Sequence, residues 1–407
     1  MKISDFCENA SCTGCMACYN ACHHRAIEIV NDEEGFQRPV INQDICVDCK
    51  LCSVVCPISS PHVLREPLKV YSGWSGNEQV RPKSSSGGAF TEIAEAVLRN
   101  GGVVFGCAMN ESLQAQHTYI ERAEDLWKLR GSKYSQSIIG TSYQQAKSFL
   151  KEGRQVLFSG TSCQIAGLRN FLRREYENLV TVDLICHGVP SPMMFEEYKR
   201  YLERTENMKI DQIFFRCKNA SWRFYNMTVY GHVEKTAAQK TYTGRYLEDP
   251  WIRGFLRDYF LRPSCHQCRF TSTSRVSDFT IADWWSYRAT TKADRGFNYK
   301  GVSLILVNSE RAKSIIANAH LVIKERTIAE AMRTNKSLSM PYKESPLRND
   351  FWKDYRTLPF DEMVHKYMSP DKLTWDNKVL MRYKNTDLLV FSCRVLRKLM
   401  KIMNLAK

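Results

Sequence analysis

The sequence predicts an α+β module at the amino-terminal end, followed by an α/β domain built on a mixed, largely parallel sheet with a β insertion. Three observations carry this expectation. Two matching cysteine runs, with a short hairpin pattern between them, fill the first sixty residues. From Lys83 onward strands and helices alternate, the rhythm of a sheet with helical crossovers. Between residues 209 and 245 the apolar pattern changes to period two, as in antiparallel strands. With 407 residues and 43% hydrophobic content, the chain is long enough for two or three domains with real cores.

The first element is the repeat. Cys12, Cys15, Cys18 and Cys22 are followed by Cys46, Cys49, Cys52 and Cys56, with Pro57 directly after. Both runs read C-x2-C-x2-C-x3-C, the spacing of two 4Fe–4S clusters. Three thiolates from one tight loop bind three irons of one cube, and the fourth cysteine reaches the other cube. Cys12, Cys15, Cys18 and Cys56 are therefore assigned to one cluster, and Cys46, Cys49, Cys52 and Cys22 to the second. Structural zinc usually takes separated CxxC pairs instead, and disulfides need an oxidising compartment. Between the runs, Ala26–Val30 and Phe36–Ile41 read as two strands around a turn at Asn31–Gly35. This part resembles two-cluster bacterial ferredoxins, with His23 where those usually have Pro.

The opening MKISDFCENASC has no apolar signal core, and no apolar run reaches the length of a membrane span. The sixteen cysteines are accordingly expected in a reducing cytoplasm. Net charge is +15, but residues 1–60 carry 4 Lys/Arg against 8 Asp/Glu, leaving −4 there and +19 elsewhere. An acidic module on a basic body suits docking to a redox partner and binding of an anionic cofactor or substrate. No nucleic-acid motif is present, and nucleic-acid binding is not expected.

Residues 61–80, with Pro61 and Pro67, read as a linker holding a short strand at Leu68–Trp74. The α/β pattern then runs through a helix at Ala89–Asn100, strands at Val103–Ala108, Gln155–Ser159 and Leu179–Ile185, and helices at Ser142–Glu152 and Pro192–Arg204. Pro250–Leu261 is expected to be helical, Asp278–Ala282 and Gly301–Val307 to be strands, and Ser309–Ala319 and Leu321–Glu325 to form a last helix and strand. The domains expected are 1–60, the linker 61–80, the α/β domain 81–330, and a carboxyl-terminal extension, 331–407. That extension ends in a basic amphipathic helix over Thr386–Leu405. Arg394, Lys398 and Lys401 mark its basic face; Leu388, Val395, Leu399, Ile402 and Met403 mark the apolar one. It is read as packing on the body or a partner subunit, with contact to a membrane surface as the rival.

Three small-residue loops are candidate ligand cradles: the first opens a helix, the second carries a cation and an aromatic ring, and the third falls at the carboxyl end of a strand, where an α/β sheet gathers ligands. They are Ser84-Ser85-Ser86-Gly87-Gly88, Gly131-Ser132-Lys133-Tyr134 and Gly160-Thr161-Ser162. Backbone N–H groups at such loops face phosphates, so three together suggest a dinucleotide. The G-x-G-x-x-G fingerprint of a nicotinamide site is absent. Four further cysteines, Cys163, Cys186, Cys265 and Cys268, are candidates for a third 4Fe–4S cluster. The rivals are buried free cysteines and a reactive thiol at Cys163, activated by its helix start. Cys7, Cys107, Cys217 and Cys393 have no metal spacing and are read as structural.

From about Arg81 to Asn308 the chain resembles the beta subunit family of coenzyme F-420 hydrogenase/dehydrogenase. The resemblance rests on Lys83–Gly88, RGSKYS at 130–135, GTSCQIAGL at 160–168, DLICHGVP at 183–190, FRCKNASW at 215–222, RPSCHQCRF at 262–270 and SDFTIADW at 277–284. It implies a flavoprotein in which FAD exchanges electrons with iron–sulfur clusters and a soluble partner. It further implies that the three loops line FAD. Departures are Ala282 and Trp285, where Gly is usual, and Cys217 at an acidic position; they bear on the second substrate more than on the flavin. An iron–sulfur flavin oxidoreductase is therefore expected. Lys133 is expected to hold the flavin or an anionic substrate, and His187 to donate a proton near it. The alternative is a non-catalytic electron-transfer subunit of a larger complex. Coenzyme F-420 is one candidate substrate, and related chains occur in surface polysaccharide synthesis.

Overall fold

In the computed structural model the described residues are 2–285, 300–370, 374–382 and 387–402. The amino-terminal module holds two strands, β1 (Ile27–Asn31) and β2 (Gln37–Ile41), paired antiparallel with Ile27 opposite Ile41. Short helices, Ala17–Ala21 and Leu51–Val54, start inside the two cysteine runs. The runs repeat in backbone as well as sequence. Gly14 and Asp48, two residues after the first cysteine of each run, have φ of 68° and 54°. Met16 and Lys50, one residue after the second cysteine, have φ of 60° and 61°. These left-handed kinks, uncommon outside glycine, wind three cysteines around one centre.

The body is organised by a sheet of eight strands. In chain order they are β3 (Lys69–Ser75), β4 (Val103–Met109), β5 (Ala115–Ile120), β6 (Val156–Thr161), β7 (Leu179–Leu184), then β11 (Phe279–Asp283), β12 (Ser303–Val307) and β13 (Leu321–Arg326). Across the sheet the order is β13-β3-β12-β11-β7-β6-β4-β5. The central run β11-β7-β6-β4 is parallel, and the pairings outside it are antiparallel. The centre is therefore the α/β unit the alternating pattern implies, and antiparallel strands flank it on both sides.

Side-chain alternation explains the layers. Val104, Leu157, Val182 and Ile305 face the helices Ala89–Leu98 and Glu310–Ala317. Val103, Phe105, Val156 and Phe158 face the opposite layer, Ser142–Lys151 and Ser162–Leu172. Cys15, Met16, Ala17 and Val55 of the amino-terminal module join that second layer. The module thus shares a hydrophobic core with the body. Between β7 and β11 lie β8 (Lys209–Cys217), β9 (Asn226–His232) and β10 (Gln239–Arg245), a three-stranded antiparallel sheet at the position of the expected insertion.

Three expectations need correction. Residues 61–80 are more than a linker, because β3 is wedged between β12 and β13 in the large sheet. The helix from Pro250 ends at Leu256, not Leu261; Asp258 takes φ 60°, and Tyr259, Phe260 and Leu261 are buried outside any helix. Residues 331–407 do not form a mere extension: Phe351, Trp352, Met363 and Tyr367 share a core with Trp251 and Phe260. Arg348 and Arg356 also pair with Glu34 and Glu33 of the amino-terminal module.

The final helix spans Asp387–Ile402, where Val395 and Leu399 are exposed. Met403 and the side chains of Leu388, Arg394, Lys401 and Ile402 lie outside the described residues. Among the described residues no helix is long and apolar enough to cross a membrane.

Candidate electron-transfer site

The sheet places its ligand-bearing loops around one cavity of about 680 Å³. The carboxyl ends of β6, β7 and β11 reach it, as expected where crossover loops separate from a parallel sheet. Ser84, Ser85, Ser86 and Gly88 line one wall, Gly131, Ser132, Lys133 and Tyr134 another, and Gly160 and Thr161 a third. Gly88 precedes the helix Ala89–Leu98 with φ 98°, a conformation glycine adopts without a Cβ clash. The first two loops are stitched together: the Ser132 amide donates to Ser85 Oγ at 2.9 Å.

Two of the expected lining residues face elsewhere. A side chain at Gly87 would strike the Gly73 carbonyl at 2.4 Å, so this glycine serves strand packing. Ser162 is buried, accepting from Arg275 at 2.7 Å. Its loop still reaches the cavity through Gly160 and Thr161.

Lys133 and His187 both line the cavity. Lys133 Nζ donates to the carbonyls of Arg130 (2.9 Å) and Lys128 (3.1 Å). It is half-buried, and desolvation pushes its amine down to about 8. His187 Nε2 lies 2.6 Å from Asp258 Oδ1, and its ring rests on Tyr342, centroids 3.7 Å apart.

Cys163, Cys186, Cys265 and Cys268 converge. Each of the four sulfurs lies close enough to feel the charge of the other three. Val189 donates its amide to Cys265 Sγ at 3.3 Å, the kind of contact that supports a thiolate. Cys163 and Cys186 also line the cavity. Burial pushes the Cys163 thiol up to about 11. Among the described residues no three His, Cys, Asp or Glu side chains close on a single metal ion.

The amino-terminal thiols form a graded series. Cys12, Cys15, Cys18, Cys52 and Cys56 are buried, whereas Cys22 and Cys46 are half-buried and Cys49 is exposed. The inner set abuts the body: a Cβ on Gly167, in the helix that begins beside Cys163, would lie 2.9 Å from Cys15 Sγ. Thr13 and Gly14, inside the first run, line the large cavity.

Sequence reasoning missed several wall residues. Arg216, at the end of β8, holds a two-pronged ion pair with Asp283 (2.6 and 3.2 Å) and lies against the rings of Tyr225 and Trp285. Trp285 in turn stacks on Trp222 with an interplanar angle of 3°. An arginine in an alternating strand carries no local signal; only the end-of-strand position of FRC hinted at it. Ala282 and Trp285 both line the cavity, whereas Cys217 does not.

The chain is similar to known proteins over most of its length. Residues 11–60 match the model of a 4Fe–4S dicluster domain. Residues 70–141 and 153–331 match the amino- and carboxyl-terminal models of the coenzyme F420 hydrogenase/dehydrogenase beta subunit, together more than half of the chain. The chain belongs to this family. It is 24% identical over 196 residues to a subunit of the F(420)H(2) dehydrogenase of Methanosarcina mazei, covering 46% of this chain and 56% of that protein. The chain thus spans about half the length of this curated relative. A chain of the F420-reducing NiFe hydrogenase complex from Methanosarcina barkeri, solved in a xenon-derivatised form, aligns with TM-score 0.44 and 15% identity. The alignment covers 68% of this chain and 90% of that one.

The sequence resemblance carries the expectation of a flavin, and the cavity lining can be tested for its fit to one. The cavity lies within the range of small-molecule sites, about 300–1,000 Å³. Arg130, Lys133, Arg216, Arg223 and Lys336 bring positive charge to its walls, against Asp283. At Gly131 a Cβ would meet only Ser85 Oγ, at 3.9 Å, leaving open space for a ligand to approach the backbone. Small residues, cations and the Tyr134 and Trp285 rings would suit a pyrophosphate joined to flat rings.

Proposed function

We propose that this chain is an iron–sulfur flavin oxidoreductase, moving electrons between its 4Fe–4S clusters, FAD and a soluble redox partner or substrate. One observation carries the reading. Thr13 and Gly14 of the dicluster module, Cys163 and Cys186 of the four-cysteine group, and the Ser84–Ser86, Gly131–Tyr134 and Gly160–Thr161 loops all border one cavity. We assign Cys22, Cys46, Cys49 and Cys52 to an outer cluster, Cys12, Cys15, Cys18 and Cys56 to an inner one, and Cys163, Cys186, Cys265 and Cys268 to a third.

Clusters exchange single electrons, and a bound flavin supplies both one-electron and hydride chemistry. The chain's own residues set the conditions. Lys133 and Arg216 place positive charge where a pyrophosphate or anionic substrate rests. Asp258 fixes the orientation of the His187 imidazole at the cavity wall. Exposed Cys49 puts the outer cluster within reach of a partner. A reducing cytoplasm is the compartment such thiolates need. The similarity to one subunit of a dehydrogenase favours a second reading, in which this chain hands electrons to a catalytic partner.

Anaerobic reconstitution with iron, sulfide and FAD, followed by absorption spectroscopy, tests the first reading. Flavin bands beside the cluster absorbance support it; an intact cluster spectrum that retains no flavin defeats it. Turnover of a metabolite panel, coenzyme F420 included, against reduction of a dye alone separates enzyme from electron-carrier subunit.

A further inference from the structure

Arg275 is buried in the run between Cys268 and β11, and every nitrogen of its guanidinium has a partner. Nη1 donates to the carbonyls of Phe270 and Ser272, each at 3.0 Å. Nη2 reaches Ser162 Oγ at 2.7 Å, Asp183 Oδ2 at 2.9 Å and the Leu184 carbonyl at 3.3 Å. Nε donates to Thr280 Oγ1 at 3.2 Å. The backbone of Arg275 is held as well, exchanging two hydrogen bonds with Arg65 at 2.7 and 2.8 Å. Burying a guanidinium costs free energy unless its donors are met and its charge is balanced. Both conditions hold here, with fully buried Asp183 as the counter-ion.

What the acceptors share is their place in the chain. Ser162 directly precedes Cys163, Leu184 stands two residues before Cys186, and Phe270 stands two residues after Cys268. The strands β6 and β7 end in register, Thr161 beside Leu184, and so deliver Cys163 and Cys186 to one edge of the sheet. Cys265 joins them through the Val189 amide, 3.3 Å from its sulfur, in the loop that Cys186 opens. One side chain thus ties together the three segments that carry these cysteines. We propose that Arg275 is the positioning residue of the four-cysteine group, holding Cys163, Cys186, Cys265 and Cys268 in place before a cluster is built among them. Its hydrogen bonds go to the chain beside the cysteines, so it acts through its neighbours. Partners behind metal ligands orient them in this way, and losing one typically weakens metal binding about 10–100-fold. Lysine cannot substitute, because an ammonium lacks the planar fork that spans acceptors on two sides. The inference rests on the proposed assignment of these four cysteines to a cluster.

The test uses the full chain, reconstituted anaerobically, as wild type, Arg275→Met, Arg275→Lys and Arg311→Met. Arg311 braces the other end of β7, away from the cysteines, donating to the carbonyls of Tyr176 and Leu179 at 2.7 and 2.6 Å. Iron and sulfide are counted, the reduced clusters are recorded by EPR, and iron release to a ferrous chelator is timed. The expected result is about twelve irons in wild type and Arg311→Met but about eight in Arg275→Met, whose amino-terminal cluster signals persist. Arg275→Lys should release about four irons roughly tenfold faster than wild type. If Arg275→Met does not accumulate, Ser162→Ala takes its place, removing one acceptor of the fork, and it should release the same irons several-fold faster. Full iron with wild-type release in these variants would overturn the proposal. Equal iron loss in Arg311→Met would mark general loosening of the sheet, which also overturns it. Wild-type protein with only about eight irons would instead overturn the cluster assignment on which the proposal stands.

Discussion

Arg262 donates from Nε to the carbonyl of Cys12 at 2.7 Å, across 250 residues of chain. The same guanidinium reaches the Gln37 carbonyl at 3.1 Å and the Cys12 sulfur at 3.7 Å, and it lies over the Phe36 ring. Arg262 is fully buried and stands three residues before Cys265. One cation therefore ties the inner ligand set to the loop of the four-cysteine group. Arg262→Met should lower stability by roughly 2–4 kcal/mol, the cost of losing buried charge-assisted hydrogen bonds. Thermal unfolding of the reconstituted protein measures this. Arg262→Lys should not restore it, because an ammonium lacks the planar fork.

The convergence of four thiols beside the cavity gives a stoichiometric prediction. Cys186→Ala should leave about four fewer irons per chain, with the amino-terminal clusters retained. Cys107→Ala, at a cavity-lining cysteine outside that group, should leave iron unchanged. Equal iron in Cys186→Ala and wild type would return the four to ordinary buried thiols.

Lys133 makes ligand binding depend on pH. Its amine is pushed by burial from an ordinary 10.5 to about 8. An anionic ligand prefers the charged form, so affinity should fall as pH rises through about 8. Titration with ADP as a pyrophosphate probe between roughly pH 7 and 9 should show this slope, and Lys133→Met should flatten it. The unliganded chain responds oppositely. Between about 8 and 10.5 the unfolded lysine holds more protons than the folded one. This group alone therefore makes stability rise with pH there, as linkage requires.

Lys218 supports the first loop from behind. Its Nζ donates to the carbonyls of Arg81 (2.5 Å), Ser86 (2.6 Å) and Lys300 (2.7 Å), and burial pushes it down to about 6. Lys218→Met removes three donors at once. The expected outcomes are a stability loss of roughly 2–4 kcal/mol and weaker retention of FAD on gel filtration, because Ser84–Ser86 loses its anchor.

The parts of this protein that are legible in its sequence are local. The two cysteine runs announce themselves by spacing, and the kinks at Gly14, Met16, Asp48 and Lys50 are what that spacing demands of the backbone. The loops at Ser84, Gly131 and Gly160 can be singled out because small residues at strand ends and helix starts have few other uses. What stays hidden depends on distant pairing. Nothing near Arg216 says that Asp283 will face it, and nothing near Phe351 says that it will pack on Phe260. Leu261 reads as helical in sequence because an apolar pattern does not reveal a left-handed turn at Asp258.

The position of β3 also governs how this protein can be divided. It leaves the dicluster module only thirteen residues after Cys56, yet it is clasped between β12 and β13, whose residues are made more than 200 positions later. Severing the backbone near residue 80 would not release two separable halves, because the front fragment would carry away a strand that separates β12 from β13 in the other. A functional split, or a graft of the iron–sulfur module onto another oxidoreductase, needs its junction before Lys69. During synthesis, the large sheet stays incomplete until almost the whole body has emerged from the ribosome.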